Sequence, residues 1–512
     1  MSIRKCYFLP PHLSINTLAS VLTGVAGSSS LTHKACLLYT LLCQDLIRLR
    51  LRREPAGYTQ LHRDDLFTLF NNQYRQVVDL LLANDLLQVN EVDGLTGQMW
   101  QKEAYSKVEG VARAYRIPAH LRAPDKLFAR VPIMPDKIIM NTLDRLNHVT
   151  RDPTQIADFY RHAVRQNVSK LVLLDDTKTR SLVETRFERL GLPYSDYMAE
   201  AIIARFNESA VLRAKICEFA GRLHPDKLRE PKALRGQMRF EDCLDEPLVE
   251  IDLVSSQPWF LSIVTPQLIK RFAPECQDAI PFFKEVEGYA DVVAFREKCG
   301  NAAPERGIYD HLAILWNKNY GENFTRDQAK AICYRAFFSD YAAKEQTTVA
   351  QRQKAVIFYQ TRLVSAQRKH GIQVVLGTKE EQAVAVAALK KAELRFKKAE
   401  SKLFTQKCYE LFREEFPGMH KLFTNIKRLK WDFPRGQQPG EQVKYYANNA
   451  LLAQRIESNV VFGVVVRALL EAGVSYCFTI HDAFVVRQRD EARARKIIKK
   501  AFASVGLKPN LK

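Results

Sequence analysis

The sequence predicts an α+β protein made of several units. Three observations carry this. Segments such as 31–51, 199–220 and 379–416 hold apolar residues at helical spacing. Short apolar runs at 247–252 and 476–486, bounded by turn-forming residues, read as strands. The chain has 512 residues, 46% of them hydrophobic, enough for more than one buried core.

Charge narrows the partners. Against 57 Asp and Glu stand 77 Lys and Arg, a net charge of +20, which suits a polyanion and above all nucleic acid. The plainer reading is a soluble basic protein. Ten scattered cysteines include no C-x-x-C pair, which argues for a reducing compartment and against a disulfide framework or structural zinc. MSIRKCYFLPPHLS has no apolar core of secretory type, and no later run approaches the roughly 20 apolar residues of a membrane span. The expectation is a cytoplasmic protein with no membrane partner.

In chain order, LTHKACLLYTLLCQDLIRLRL (31–51), RDDLFTLF (63–70) and QYRQVVDLLLAND (73–85) read as helices. LLQVNEVDGLTGQ (86–98) then reads as a strand entering a turn, and ARAYRIP (112–118) as the returning strand. Three helices and a two-stranded ribbon resemble a winged helix-turn-helix over residues 1–120. Asn71 to Gln76 would open the recognition helix there, with Arg75 and Gln76 among the residues able to reach DNA bases or phosphates. A protein-interaction or purely structural module has the same pattern. Residues 120–215 look mostly helical, with AEAIIARFNESAVLRAKICEFA (199–220) the clearest case, and the first 200 residues hold no D-x-E strand of the exonuclease kind. The segment 379–416 reads as one or two long, charge-laced helices, and RLKWDFPRGQQPGEQ (428–442) as a loop.

Three segments carry chemistry. In PLVEIDLVSSQPWFLSIV (247–264), Asp252 ends an apolar strand and a helix follows, with Ser255 or Ser256 available as its cap and Pro258 near its first turn. In FTIHDAFVV (478–486), His481 and Asp482 interrupt an apolar run, as in a tight hairpin of a buried sheet. A buried Asp is costly unless hydrogen-bonded, paired or metal-bound. Brought onto adjacent strands, Asp252 and Asp482 would form a carboxylate pair able to hold Mg²⁺ for two-metal phosphoryl transfer. In NFTRDQAKAICYRAFFSDY (323–341), Arg326, Lys330, Tyr334 and Phe338 recur every four residues, a drift of only about 40° per step on a helix. One face would then carry cations near the helix N-terminus, where anions are favoured, and aromatic rings beyond them.

Taken in order, these segments resemble the polymerase core shared by family A DNA polymerases and phage-type single-subunit RNA polymerases. EIDLVSSQ is similar to motif A, the Arg326/Lys330/Tyr334 spacing to motif B, and the His481–Asp482 turn to motif C. AGRLHPDKLREPKALRGQMRF (220–240) resembles the Gly-Arg-Leu segment that contacts the primer-template duplex, through Arg222. The resemblance covers residues 120–512 and implies a right-hand architecture. A thumb-like region would span 121–215, the palm 216–265 and 430–512, and the fingers 266–429.

It also implies roles. Asp252 and Asp482 would bind two Mg²⁺ ions, with Mn²⁺ a possible substitute, and His481 would support the primer end. Arg326 and Lys330 would grip the nucleoside triphosphate, while Tyr334 and Phe338 would lie against its sugar and base. Gln454 is placed by position against the template or primer. The chain departs from the family at the sugar-selecting positions: Gln257 stands where DNA polymerases carry Glu, Phe338–Ser339 replace Tyr-Gly, and Ala483 follows the motif C Asp. The expected function is a DNA polymerase acting on a DNA primer-template, suited to replicating a phage, plasmid or other mobile element. An RNA polymerase or primase is the alternative within the same chemistry, and a non-catalytic DNA-binding initiator or regulator the alternative outside it.

Overall fold

Short runs of strand-forming residues among long helical ones give a mostly helical α+β protein with small antiparallel sheets. The computed structural model describes residues 5–51, 59–61, 63–89, 114–133, 136–147, 155–217, 219–300, 307–376, 378–431, 445–480 and 482–512.

The first part is organised around helix Ser28–Leu51. Strand β1 (Cys6–Leu9) packs beside it, fully buried, and pairs with β5 (Ala129–Pro132). Next come β2 (Thr59–Gln60), helices Arg63–Phe70 and Tyr74–Ala83, β3 (Gln88–Val89) and β4 (Ala114–Arg116). The order in this three-stranded sheet is β2-β4-β3. Between the two helices the chain turns at Asn71, whose φ of 53° lies in the left-handed region that Asn tolerates better than most side chains. Residues 90–113, which include most of the expected ribbon, lie outside the described residues.

Residues 120–215 hold helices Lys137–Asn147, Ile156–Ser169, Thr177–Arg189 and Asp196–Glu208, together with β6 (Leu171–Leu173). The helix expected over 199–220 does not run that far. It starts at Asp196 and stops at Glu208, and Ala214–Ile216 form β7, paired with β8 (Leu223–Pro225). The reason is local competition: the Ser209 hydroxyl accepts from the Val211 N–H at 3.2 Å, and β8 then offers β7 a backbone partner.

Two apolar cores result. One joins residues of the first 143 to Val183, Phe187 and much of helix Asp196–Glu208; the other runs from Val164 to Leu507. Helix Asp196–Glu208 serves both, giving Ile202 to the first and Ile203 and Phe206 to the second.

Within the second core, β9 (Met238–Phe240) pairs with β6, and β10 (Leu248–Ile251), β11 (Cys477–Ile480) and β12 (Ala483–Arg487) form a sheet ordered β10-β12-β11. Helix Glu491–Ala503 packs on this sheet through Phe502, whose ring lies 6.4 Å from Phe484. Helix Ile156–Ser169 is tied to the β11 edge, where Asn167 Nδ2 donates to the Cys477 carbonyl at 2.8 Å. Beyond β10, helix Ser256–Ile263 opens a long helical stretch that includes Ile308–Tyr320 and Arg326–Phe338.

Helices Val349–Leu376 and Lys379–Glu415 then pack along each other as a long hairpin. Helix Pro417–Arg428 ends where the expected loop begins, and residues 432–442 of that loop lie outside the described residues.

Candidate active site

Two carboxylates meet at one end of the β10-β12-β11 sheet. Ile251, the last residue of β10, pairs with Phe484 of β12, so Asp252 leaves the sheet beside the start of β12. Ile480 pairs with Ala483, so Asp482, just before β12, lies at the same end. The Asp252 carboxyl is pushed above the usual carboxylate range, first by burial and then by the negative charge of Asp482, with Lys232 pulling the other way. Among the described residues neither carboxylate forms an ion pair with Lys or Arg. His481 lies outside the described residues.

After Asp252 the chain turns sharply. Ser255 adopts φ 53° and ψ 39°, a left-handed conformation that is strained for a non-glycine residue. Neither serine expected as a cap acts as one: Ser255 makes no capping bond, and the buried Ser256 hydroxyl has no partner among the described residues. Gln257 follows, half-buried near the start of helix Ser256–Ile263.

Arg222 reaches the same end of the sheet from the β7–β8 hairpin. Gly221 precedes it at φ 70°, a backbone conformation that favours glycine, and a Cβ there would also press on Arg161 Nη2 at 3.3 Å and Ser458 Oγ at 3.4 Å. Arg222 Nε and Nη2 donate to the two carboxylate oxygens of Glu457 at 2.9 and 2.7 Å. Glu457 is fully buried on helix Asn448–Val460. Burial raises its pKa, Arg222 opposes that rise, and Asp482 adds to it. Burial would lower the Arg222 pKa, but the charges of Glu457 and Asp482 leave it raised. Gln454 lies half-buried one turn before Glu457 on the same helix.

The four-residue repeat places its side chains as its spacing predicts. Helix Arg326–Phe338 turns Ala329, Ile332, Cys333, Ala336 and Phe337 into the core, leaving Arg326, Lys330 and Tyr334 exposed and Phe338 half-buried on the other side. Thr325 and Gln328 close a capping box at its start. Tyr334 and Phe338 lie with ring centroids 5.9 Å apart. Burial and then the charge of Asp482 raise the Tyr334 hydroxyl pKa, so this face looks toward the carboxylate end of the sheet. Both cations hold carboxylates: Arg326 pairs with Asp310 at 3.4 Å and Lys330 with Asp327 at 2.9 Å.

A cavity of about 440 Å³ adjoins the rings and is lined by Tyr334, Arg335, Phe338, Lys344, Lys402 and Tyr446 among others. A larger one, about 870 Å³, lies between the two helices of the long hairpin, is mostly apolar, and is not lined by either of the paired aspartates. Arg75 and Gln76 are exposed at the start of helix Tyr74–Ala83, well away in sequence and core from these groups.

Among the described residues no cluster of three or more His, Cys, Asp or Glu side chains could hold a metal by itself. The donor set still fits Mg²⁺, which binds through one or two carboxylates and completes its shell with water and substrate phosphate oxygens. Sequence reasoning missed Glu457 and Asp310. The only signal for Glu457 was an acid set among the apolar residues of LLAQRIESNVVFGVVV, where burial demands a partner. In comparisons with known proteins, no family model matches the chain and no curated protein does either.

Proposed function

We propose that this chain is a template-directed nucleotidyltransferase of right-hand architecture, a DNA polymerase similar to family A. One observation carries the reading: Asp252 and Asp482 share one end of a three-stranded antiparallel sheet, and the Tyr334 face of helix Arg326–Phe338 looks toward that end. Two like charges held close, neither ion-paired among the described residues, are costly, and a divalent cation is the natural counter-charge.

Two bound Mg²⁺ ions would supply the activation of a primer 3′-hydroxyl and the neutralisation of a leaving pyrophosphate. The chain's own residues do the rest by position. Asp252 and Asp482 hold the site's negative pole. Arg326 and Lys330, exchanging Asp310 and Asp327 for phosphate oxygens, draw the triphosphate to the helix N-terminus. Tyr334 and Phe338 offer ring faces to the sugar and base. Glu457 fixes the Arg222 guanidinium beside Asp482, where it can meet the duplex end. The helix-turn-helix order, with sheet order β2-β4-β3 and exposed Arg75 and Gln76, supports a winged-helix module that would bring the enzyme to DNA.

The test is primer extension with Mg²⁺. Asp252→Asn and Asp482→Asn should each cut extension by roughly 10³-fold or more, the scale of losing a group that neutralises charge in phosphoryl transfer. Wild-type rates in either variant would remove the carboxylate pair from the mechanism. Supplying dNTPs or rNTPs, with and without primer, separates DNA synthesis from RNA synthesis or priming. DNA binding with no incorporation under any of these conditions would leave a non-catalytic initiator.

A further inference from the structure

We propose that Lys512 is a further triphosphate-binding cation of this site, an inference that rests on the polymerase reading above. Residues 510–512 lie as a short antiparallel segment along residues 252–254. The Asp252 N–H donates to the Lys512 carbonyl at 3.2 Å and the Lys512 N–H to the Asp252 carbonyl at 2.9 Å. Leu253 and Leu511 bridge, and the Val254 N–H donates to the Asn510 carbonyl at 2.9 Å.

Residues that exchange both backbone bonds stand directly opposite each other and send their side chains to the same face. The Lys512 side chain therefore leaves the backbone on the face that carries the Asp252 carboxylate. Neighbouring contacts hold the segment in this register. Leu253 is buried and Leu511 packs against the core, while Asn510 Nδ2 donates to the Gly300 carbonyl at 2.8 Å.

Asp327, in the first turn of helix Arg326–Phe338, is held below the usual carboxylate range chiefly by Lys330, with Arg326 and Lys512 adding to the effect. Lys512 is thus paired through its backbone with Asp252 and is within electrostatic reach of the helix start that carries Arg326 and Lys330. A triphosphate whose reacting end sits at Asp252 and Asp482, and whose tail reaches that helix, passes the Lys512 ammonium. The side chain is exposed and, unlike Arg326 and Lys330, forms no salt bridge among the described residues, so it can meet phosphate without first releasing a carboxylate. A flexible ammonium suits this task as a point charge.

The experiment compares wild type with Lys512→Ala, Lys512→Arg and Lys512→Glu, each checked for unchanged thermal unfolding. Two quantities are read: the nucleotide KM and kcat in primer extension, and the affinity for inorganic tripolyphosphate with Mg²⁺ by calorimetry. Lys512→Ala should raise KM and weaken tripolyphosphate binding by about tenfold, the scale of one charge-assisted contact. Its kcat should stay within about twofold, since the contact is made before and during reaction alike. Lys512→Glu should be worse and Lys512→Arg close to wild type. Unchanged KM and tripolyphosphate affinity in Lys512→Glu would overturn the proposal, as would a loss confined to kcat, which would make the segment only a support for Asp252. Wild-type protein that incorporates no nucleotide would reject the polymerase reading, while its tripolyphosphate affinity against that of Lys512→Glu still decides the role of Lys512; no wild-type affinity rejects that role too.

Discussion

Asp252 and Glu457 are both acids held above their usual range, each first by burial, but they differ in how they are partnered. Glu457 is fully buried and accepts two guanidinium hydrogen bonds, which reduce its cost where it stands. Asp252 is only partly enclosed, feels the charge of Asp482 and forms no ion pair among the described residues. Its raised pKa means the folded state prefers the protonated form. That penalty is absent below the ordinary value of 3.8, grows as pH rises from there toward the folded pKa, and is complete at neutral pH. Asp252→Asn should therefore unfold at a higher temperature than wild type in EDTA at pH 8, with the gap narrowing as pH is lowered toward 4. Adding Mg²⁺ should raise the wild-type midpoint and leave that of Asp252→Asn nearly unchanged, because only the intact pair gains by binding the ion. A wild-type protein more stable than Asp252→Asn in EDTA would show that the two carboxylates do not strain each other.

Among the elements, helix Arg326–Phe338 and the long hairpin show two uses of similar periodicity. In the first, one face is buried and the other carries the repeat, and the capping box holds the cationic end in place. In the second, helix Val349–Leu376 packs mainly on its partner helix, and Ile357, Phe358, Val375, Val384 and Leu394 stay exposed. Among the described residues, the hairpin contributes to the main core through the later part of helix Lys379–Glu415, with Cys408, Tyr409, Leu411 and Phe412. Replacing residues 357–397 by a short Gly-Ser turn should shift the thermal midpoint by less than about 2 °C, since little core surface is lost. A large loss of stability by differential scanning calorimetry would mean that the outer hairpin is part of the cooperative core. The misjudged helix at 199–220 is instructive at this scale. Its apolar spacing suited a helix, but Ser209 and the backbone of β8 competed successfully for residues beyond Glu208.

Across the whole molecule, the net charge of +20 is spread over a chain with two apolar cores, and the proposed function would give the first to DNA recruitment and the second to catalysis. Arg75→Ala/Gln76→Ala should weaken binding to duplex DNA by about tenfold at moderate salt and flatten its salt dependence by about one unit of slope, while extension of a short primer-template at saturating concentration stays unchanged. Unaltered binding by fluorescence anisotropy would remove that helix from the DNA interface. Much of the site was legible in the sequence: Asp252 at a strand end, the 481–482 interruption and the four-residue repeat are patterns of strand, turn and helix geometry, which neighbouring residues determine among themselves. The tertiary structure alone decided which of these meet. Alignment of β10 with β12, the Arg222–Glu457 pair spanning 235 residues and the backbone pairing of Asp252 with Lys512 join distant segments. Such contacts depend on which buried surfaces pack and which polar groups find partners there, and no local periodicity records that choice.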